Sequence, residues 1–281
     1  LYPGPLGTFD DNGVTPTCLI KNKRKKYLYY VGWNQGTNVR MHLFGGLAIK
    51  KNNFNNFYRY SNAPIIERNK INPYLYAKDD PELPKDHPKR TFMNRFNGYL
   101  NSDCFLKGSE MKFLYETEEL LKFVSLCLGV SPIYRWADPL ACHAYNVMEP
   151  EGILPWHFDS CEFTLSLMIQ KPEKGGIFEY CPNIREPGNE NFDEVKKVLN
   201  GDRSRVRQLK LEPGDLQIFK GRFTLHRVTK VEGNKSRYMC IPAYVLDPWR
   251  VNTPEHSKAI YGKVLPIHLE RNVARSDGLT D

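Results

Sequence analysis

The sequence has no Cys-x-x-Cys pair, no apolar run of membrane-spanning length and no charged-then-apolar start of the secretory kind. The first absence argues against paired-thiol redox chemistry and the commonest zinc motifs. The second argues against a transmembrane helix, and the third against a signal peptide. The seven cysteines are odd in number and scattered, at positions 18, 104, 127, 142, 161, 181 and 240. That pattern fits reduced thiols in the cytoplasm better than a disulfide framework. The chain begins at Leu1 rather than Met, which leaves its natural start open.

A basic surface on the larger part of the chain is also missing. The formal net charge is +8, but residues 1–80 hold 12 Lys and Arg against 5 Asp and Glu. Residues 81–281 hold 28 against 27. This neutral stretch leaves no electrostatic footprint for a polyanion. The basic run Lys21 to Lys26 adjoins an aromatic strand and reads as a solvated turn. The expected partner is a small-molecule substrate, with no nucleic acid and no membrane; oligomeric state stays open.

What is present divides by composition. Residues 1–78 carry short aromatic strands with Gly and Asn turns, at Lys26 to Trp33, Gly46 to Ile49, Phe57 to Tyr60 and Ala63 to Ile66. These read as β-meander units. Asp10 and Asp11 could be turn residues or carboxylates of a sugar site. Residues 79–90 hold Pro81, Pro84 and Pro88 among charges and read as a linker. Residues 91–270 read as one domain and 271–281 as a tail. Glu116 to Leu128 has apolar residues at helical spacing, with Gly129 as C-cap. Residues 182–208 are long, charged and interrupted by Pro187-Gly188, around a helix-like run from Phe192 to Leu199. They are either a lid or a surface insertion.

The chemistry gathers at Trp156-His157-Phe158-Asp159 and at His226, 67 positions after Asp159. Two imidazoles and one carboxylate can cap one face of an octahedral Fe(II) and leave the other face open. An apolar, alternating run follows directly at 161–169, so the pair is expected at the start of a strand, where i and i+2 point the same way. Leu211 to Asp215 is a turn signal leading into a strand at Leu216 to Phe219. Arg237, eleven positions after His226, opens a further strand and could clamp a carboxylate in bidentate fashion.

These residues carry a resemblance. Residues 90–270 resemble the 2-oxoglutarate/Fe(II)-dependent oxygenase superfamily, near the bacterial free-amino-acid halogenases and hydroxylases. The matching words include Ala137-Asp138-Pro139-Leu140, Trp156 to Asp159, Gly175 to Tyr180, Arg203 to Arg207, Pro213 to Leu216 and Leu225 to Thr229. The resemblance implies a mainly β protein with a double-stranded β-helix, or jelly-roll, core and flanking helices. It implies His157, Asp159 and His226 as catalytic metal ligands for Fe(II). It also implies 2-oxoglutarate held by Arg237 and Asn146, and O2 as the oxidant. The halogenating relatives carry a small residue where this chain has Asp159, so hydroxylation is expected. Met148 stands where many relatives have an aromatic.

The expected reaction is hydroxylation of an unactivated C–H bond in a small polar metabolite, a free amino acid being the family-level candidate, with release of succinate and CO2. The alternatives are a jelly-roll binding protein without turnover and a hydroxylase of a sugar-linked substrate. The second draws on residues 5–77, which resemble part of a glycosidase-type five-bladed β-propeller. A nucleic-acid demethylase is disfavoured, since Ala243 stands where such relatives carry a second Arg. His143 reads as structural. Cys161 is either redox-sensitive or simply packed. Trp156, Glu162 and Tyr244 lie near the site in sequence, with their facing open.

Overall fold

The computed structural model describes residues 1–5, 9–22, 25–34, 42–51, 56–60, 80–93, 95–105 and 108–280. The chain divides into two compact units, Leu1–Arg68 and Asn69–Asp281.

The first unit is an antiparallel meander of β1 (Gly13–Asn22), β2 (Lys25–Asn34), β3 (His42–Lys51) and β4 (Tyr58–Arg59), in that order across the sheet. The basic run lies at the β1–β2 hairpin, where Asn22 pairs with Lys25. Phe9, Leu28, Tyr30 and Ala48 form its core. Asp10 is fully buried there and accepts hydrogen bonds from Arg59 Nε at 2.7 Å and Tyr30 Oη at 3.0 Å. It lies in a turn, as one of the two readings had it, and serves there as a structural ion-pair partner. Among the described residues this unit holds one four-stranded sheet. The expected strand at Ala63 to Ile66 lies outside the described residues.

The second unit is mainly β, with a jelly-roll core. In chain order it contains β5 (Gly98–Leu100), α1 (Glu110–Glu116), α2 (Glu118–Leu128), β6 (Tyr134–Arg135), β7 (His143–Met148), β8 (Leu154–His157), β9 (Phe163–Gln170) and β10 (Lys174–Gly175). Then come β11 (Phe178–Cys181), α3 (Phe192–Leu199), β12 (Arg207–Leu209), β13 (Leu216–Phe219), β14 (Leu225–Val228), β15 (Val231–Glu232), β16 (Arg237–Val245), α4 (Pro254–Tyr261) and α5 (Pro266–Glu270). The major sheet runs β13-β9-β16-β7-β5, with β6 also paired to β16; the minor sheet runs β12-β11-β14-β8.

Alternation decides which side chains face inward. On the major sheet, Thr164, Ile241, Ala243 and Ala144 turn toward a pocket. Their neighbours Phe163, Leu165 and Tyr244 turn the other way and pack with Tyr115 and Val124 of the helical layer and with Ile133 of the connection that follows it. That layer differs from the single helix expected at 116–128. Thr117 is extended, closes α1 and caps α2 by accepting from Leu120 N. Gly129, with φ 64°, ends α2 in the left-handed conformation.

The segment 182–208 is a wall and not a lid. Val195 and Val198 of α3 pack with Trp156, Cys181, Ile184 and Leu225 on the outer face of the minor sheet. The two valines are spaced to share one face of a helix, and that face covers an apolar sheet surface. The C-terminal residues also belong to the body of this unit: Leu279 is buried, and Arg222 Nη2 donates to its carbonyl at 3.0 Å.

His143 lies on the outer face of β7, stacked on Tyr115 and edge-on to Phe105. Burial pushes its pKa down to about 4, so the fold holds the neutral imidazole. The unfolded chain binds this proton near pH 6.5 and the folded chain only near pH 4. Stability from this group is therefore present above pH 6.5 and lost as pH falls toward 4. His143→Phe is expected to flatten that part of the acid limb in urea titrations. An unchanged slope would mean that His143 is not held neutral.

Candidate metal centre

The centre is built where β8 meets β14. His226 and His157 are direct register partners across this antiparallel pair. Their ring centroids lie 4.1 Å apart. The pairing then slips, with Val228 opposite Leu154, so that Pro155 and Trp156 together face Arg227. This is a β-bulge on an edge strand, a setting that tolerates a proline. The carbonyl of Pro155 turns back and accepts from His157 Nδ1 at 2.8 Å. The carbonyl of Thr224 does the same for His226 Nδ1, also at 2.8 Å.

A carbonyl only accepts, so each imidazole carries its proton on Nδ1. Each then presents a bare Nε2 lone pair to the opposite side. Burial, followed by the neighbouring His226, pushes the His157 pKa down to about 3. It is a neutral donor ligand at any ordinary pH.

Asp159 supplies the third atom. Its Oδ1 lies 3.4 Å from His226 Nε2 and 3.7 Å from His157 Nε2. All three candidate ligand atoms fall within 4.8 Å of one another. Neighbouring ligands at about 2.1 Å from one ion sit about 3 Å apart, so a small contraction would place all three on one metal. Thr164 Oγ1 donates to Asp159 Oδ2 at 2.6 Å, which turns Oδ1 toward the histidines. Cys161 Sγ lies 3.3 Å from the same hydroxyl and is buried. Burial raises its thiol pKa strongly, which makes it a packed cysteine and not a reactive one. Burial works to raise the Asp159 carboxyl too, but His226, His157 and Thr164 outweigh it and hold it below the usual carboxylate range. The Asp159 carboxylate is ionised and the His157 imidazole is neutral, as metal binding requires.

The expected placement of the pair at the start of one strand needs correction. His157 ends β8, and Asp159 lies in the link before β9 opens at Phe163. A backbone bond fixes that link, from Asp159 N to Gly221 O at 3.2 Å. Gly221 is also tight against the carboxylate, since a Cβ there would sit 2.1 Å from Asp159 Oδ2.

Arg237 and Asn146 lie on the inner face of the major sheet. Arg237 pairs with Met148, and Met239 pairs with Asn146. Both residues are buried, at 3% and 1% exposure. Arg237 Nε and both polar atoms of the Asn146 amide lack hydrogen-bond partners. No carboxylate pairs with Arg237 among the described residues, and burial lowers its pKa to about 10, so it stays charged. Gly176 makes room for it, as a Cβ there would lie 3.0 Å from Arg237 Cδ. Buried polar groups are almost always satisfied in folded proteins. A buried cation and an amide without partners, diagonal neighbours on one face, fit a bound carboxylate ligand such as 2-oxoglutarate. Met148 beside them is fully buried with Leu154, Phe178, Val228 and Val231. It fills space and offers no polar contact.

A pocket opens beside the triad. His157, Asp159 and Thr164 lie on its border; Arg95, Tyr99, Trp136, Phe158, His256 and Tyr261 complete much of its wall. Sequence reasoning missed Arg95, which lies outside any motif. Its Nε donates to Asn97 Oδ1 at 2.7 Å and its Nη2 to Tyr99 Oη at 2.8 Å. Trp156 borders the pocket but packs mainly in the outer cluster. Glu162 pairs with Arg275 at 2.7 Å, and Tyr244 lies in the outer core.

A family model described as Halogenase D matches residues 105–256. The chain belongs to the halogenase D family. Two uncharacterised proteins of Mycobacterium tuberculosis are each 32% identical to this family member over 74 residues. That match covers 26% of this chain and 24% of each relative, so it spans about a quarter of their length. Among solved structures, AviO1 of Streptomyces viridochromogenes Tue57 is similar at TM-score 0.43 and 19% identity, over 57% of this chain and 72% of that one. A 2OG-Fe(II) oxygenase family oxidoreductase from Burkholderia pseudomallei is similar at TM-score 0.40 and 13% identity, covering 54% and 68%. HygX of Streptomyces hygroscopicus, solved with nickel, 2-oxoglutarate and hygromycin B, is similar at TM-score 0.36 and 14% identity, covering 59% and 72%. At these scores the functional reading rests on the family and on the geometry of the site.

Gly221→Ala tests the packing behind the triad. It is expected to displace Asp159 and weaken Co(II) binding roughly 10–100-fold, the range that outer-layer changes produce at metal sites. Isothermal titration on the folded variant measures it. Wild-type affinity would show that the tight approach of Gly221 does not govern the carboxylate.

Proposed function

We propose that this halogenase D family member is an Fe(II)- and 2-oxoglutarate-dependent oxygenase. In this reading it hydroxylates an unactivated C–H bond of a small polar metabolite and releases succinate and CO2. One observation carries the reading: three candidate ligand atoms from His157, Asp159 and His226 converge, with both histidine Nδ1 atoms engaged by backbone carbonyls on the far side. Fe(II) with 2-oxoglutarate and O2 would supply the oxidising chemistry. His157, Asp159 and His226 would hold the metal, and Arg237 with Asn146 would hold the cosubstrate.

The family's name points to halogenation, and this chain's own residue points away from it. A halide bound to the metal needs a coordination position that no protein group fills. Here Asp159, ionised and oriented by Thr164, would fill it. Hydroxylation follows as the outcome that the ligand set supports.

The pocket favours a compact substrate with an acceptor group. Arg95 brings a cation to a wall that is otherwise largely aromatic and aliphatic. Such a pocket combines an apolar body with a few orienting polar groups. A free amino acid is the candidate the family suggests, and its carboxylate is the group Arg95 would meet. The near-neutral charge of residues 81–281 supports a small molecule over a nucleic acid.

Anaerobic titration of the apo-protein with Fe(II) and then 2-oxoglutarate tests this reading. A visible charge-transfer band is expected in the wild type and absent in His226→Ala. A well-folded wild type without the band would leave the jelly roll as a binding protein without turnover. Arg237→Ala is expected to raise the half-saturating 2-oxoglutarate concentration about 30-fold or more, in line with roughly 2–5 kcal/mol for truncating one member of a buried charge pair. An unchanged requirement would remove Arg237 from the cosubstrate site. Asp159→Ala is expected to abolish hydroxylation, measured as coupled succinate and product; full turnover would sink the triad.

A further inference from the structure

The two largest fully buried side chains among the described residues are arginines, Arg185 and Arg222. Neither belongs to the proposed ligand set, yet both adjoin it. Arg222 follows Gly221, whose carbonyl holds Asp159 N and whose Cα sits against the Asp159 carboxylate. Arg185 places its guanidinium 3.7 Å from the ring centroid of Phe158, the residue between His157 and Asp159. The two are joined, as Arg185 Nε donates to the carbonyl of Arg222 at 2.7 Å.

The C-terminal residues hold this pair. Arg222 grips the Asp277 carboxylate with two nitrogens, Nε and Nη2, the latter at 3.0 Å. Arg222 Nη2 also donates to Leu279 O at 3.0 Å. Arg185 Nη1 donates to Thr280 O at 3.0 Å and to Glu190 Oε2 at 2.9 Å. Thr280 N donates back to Glu190. Asp277 closes the cluster on itself, accepting from Leu279 N at 3.1 Å through Oδ1. Farther along the same segment, Arg275 pairs with Glu162, three residues beyond Asp159. The bonds to Arg222, Arg185 and Glu162 each reach a residue that lies in, next to, or stacked on the connection that carries the ligands.

We propose that residues 275–280 are a positioning strap for the metal centre. Asp277 acts through Arg222 to hold the Gly221 turn, and that turn sets the place of the Asp159 carboxylate. Thr280 acts through Arg185 on Phe158 and so on the spacing of His157 and Asp159. The strap touches neither metal nor substrate. Its carboxylate neutralises a buried guanidinium, which would otherwise move toward solvent and take the turn with it. The inference rests on the reading of the triad as a metal site.

Co(II) binding to the full-length apo-protein, read by affinity and by the visible ligand-field spectrum, tests it without turnover. Asp277→Ala is expected to weaken Co(II) binding about 10–100-fold and to change the spectrum. Asp277→Glu, which keeps the charge, is expected to recover much of both. Asp138→Asn serves as a comparison. It removes a fully buried carboxylate elsewhere, one that holds Asn252 and His268, and is expected to lower the melting temperature while leaving the spectrum intact. If Asp277→Ala does not fold, Arg222→Lys keeps the cation but loses the two-pronged grip, and the same weakening is expected of it. A folded Asp277→Ala or Arg222→Lys with wild-type affinity and spectrum overturns the strap alone. A wild type that does not bind Co(II) overturns the metal reading and the strap with it.

Discussion

The pairing of β8 with β14 is the constraint on which the candidate site depends. It sets His157 opposite His226, although 69 positions of chain separate them. A one-residue slip would turn one imidazole to the opposite face of the sheet. Two devices guard against that slip. The bulge at Pro155 and Trp156 pins the register from one side. On the outer face, the Arg227 guanidinium stacks on Trp156 at 4.7 Å and donates to Glu179 at 2.6 Å. Glu179 in turn accepts from Arg203 and Gln208. Thus the residues beside each histidine lock together behind the sheet while the histidines face inward.

Buried charged groups in the second unit meet two kinds of surroundings. Outside the site, buried charge is matched: Arg222 with Asp277, Arg185 with Glu190, Asp138 with Asn252 and His268. Inside it, Arg237 Nε and both ends of the Asn146 amide are left without partners. Leaving a buried polar group unsatisfied costs about 1–3 kcal/mol, and more for a charge. Other buried atoms lack partners too, among them Trp136 Nε1, Gln217 Oε1 and Tyr244 Oη. Arg237 differs in carrying a full charge that no carboxylate among the described residues meets, and this fits an anionic ligand. The same division appears in the ligands, whose Nδ1 protons are satisfied by carbonyls while the Nε2 lone pairs are not.

Much of this was legible in the sequence, for identifiable reasons. His-x-Asp with a distant His marked the triad because a metal site needs particular donor atoms, and few residue types carry them. The strand at Leu216 to Phe219 and the helix at Phe192 to Leu199 emerged with the observed bounds because turn and capping signals bracket them. The direction in which that helix packs was not legible. Its valines show an apolar face, but nothing local says whether the face covers a pocket mouth or the back of a sheet. His157 and Asp159 were expected at the start of one strand because an alternating run follows them at 161–169. A hydrogen bond to Gly221, distant in sequence, decides otherwise. Arg95, Arg185 and Arg222 were invisible for a related reason. Their roles come from partners scattered along the chain, and a lone arginine carries no signature of burial.

β8 ends the minor sheet among the described residues, and beyond the single backbone bridge of Ile153 with Phe96 just before it, no further strand pairs with it on that side. An exposed strand edge invites another polypeptide to add itself by backbone pairing. Pro155 lacks the amide proton that such an intruder would use, and the bulge bends the strand away from the flat geometry it would need. The kink that aims a carbonyl at His157 therefore also defends the edge. The strand that carries His157 is thereby a poor template for a second chain.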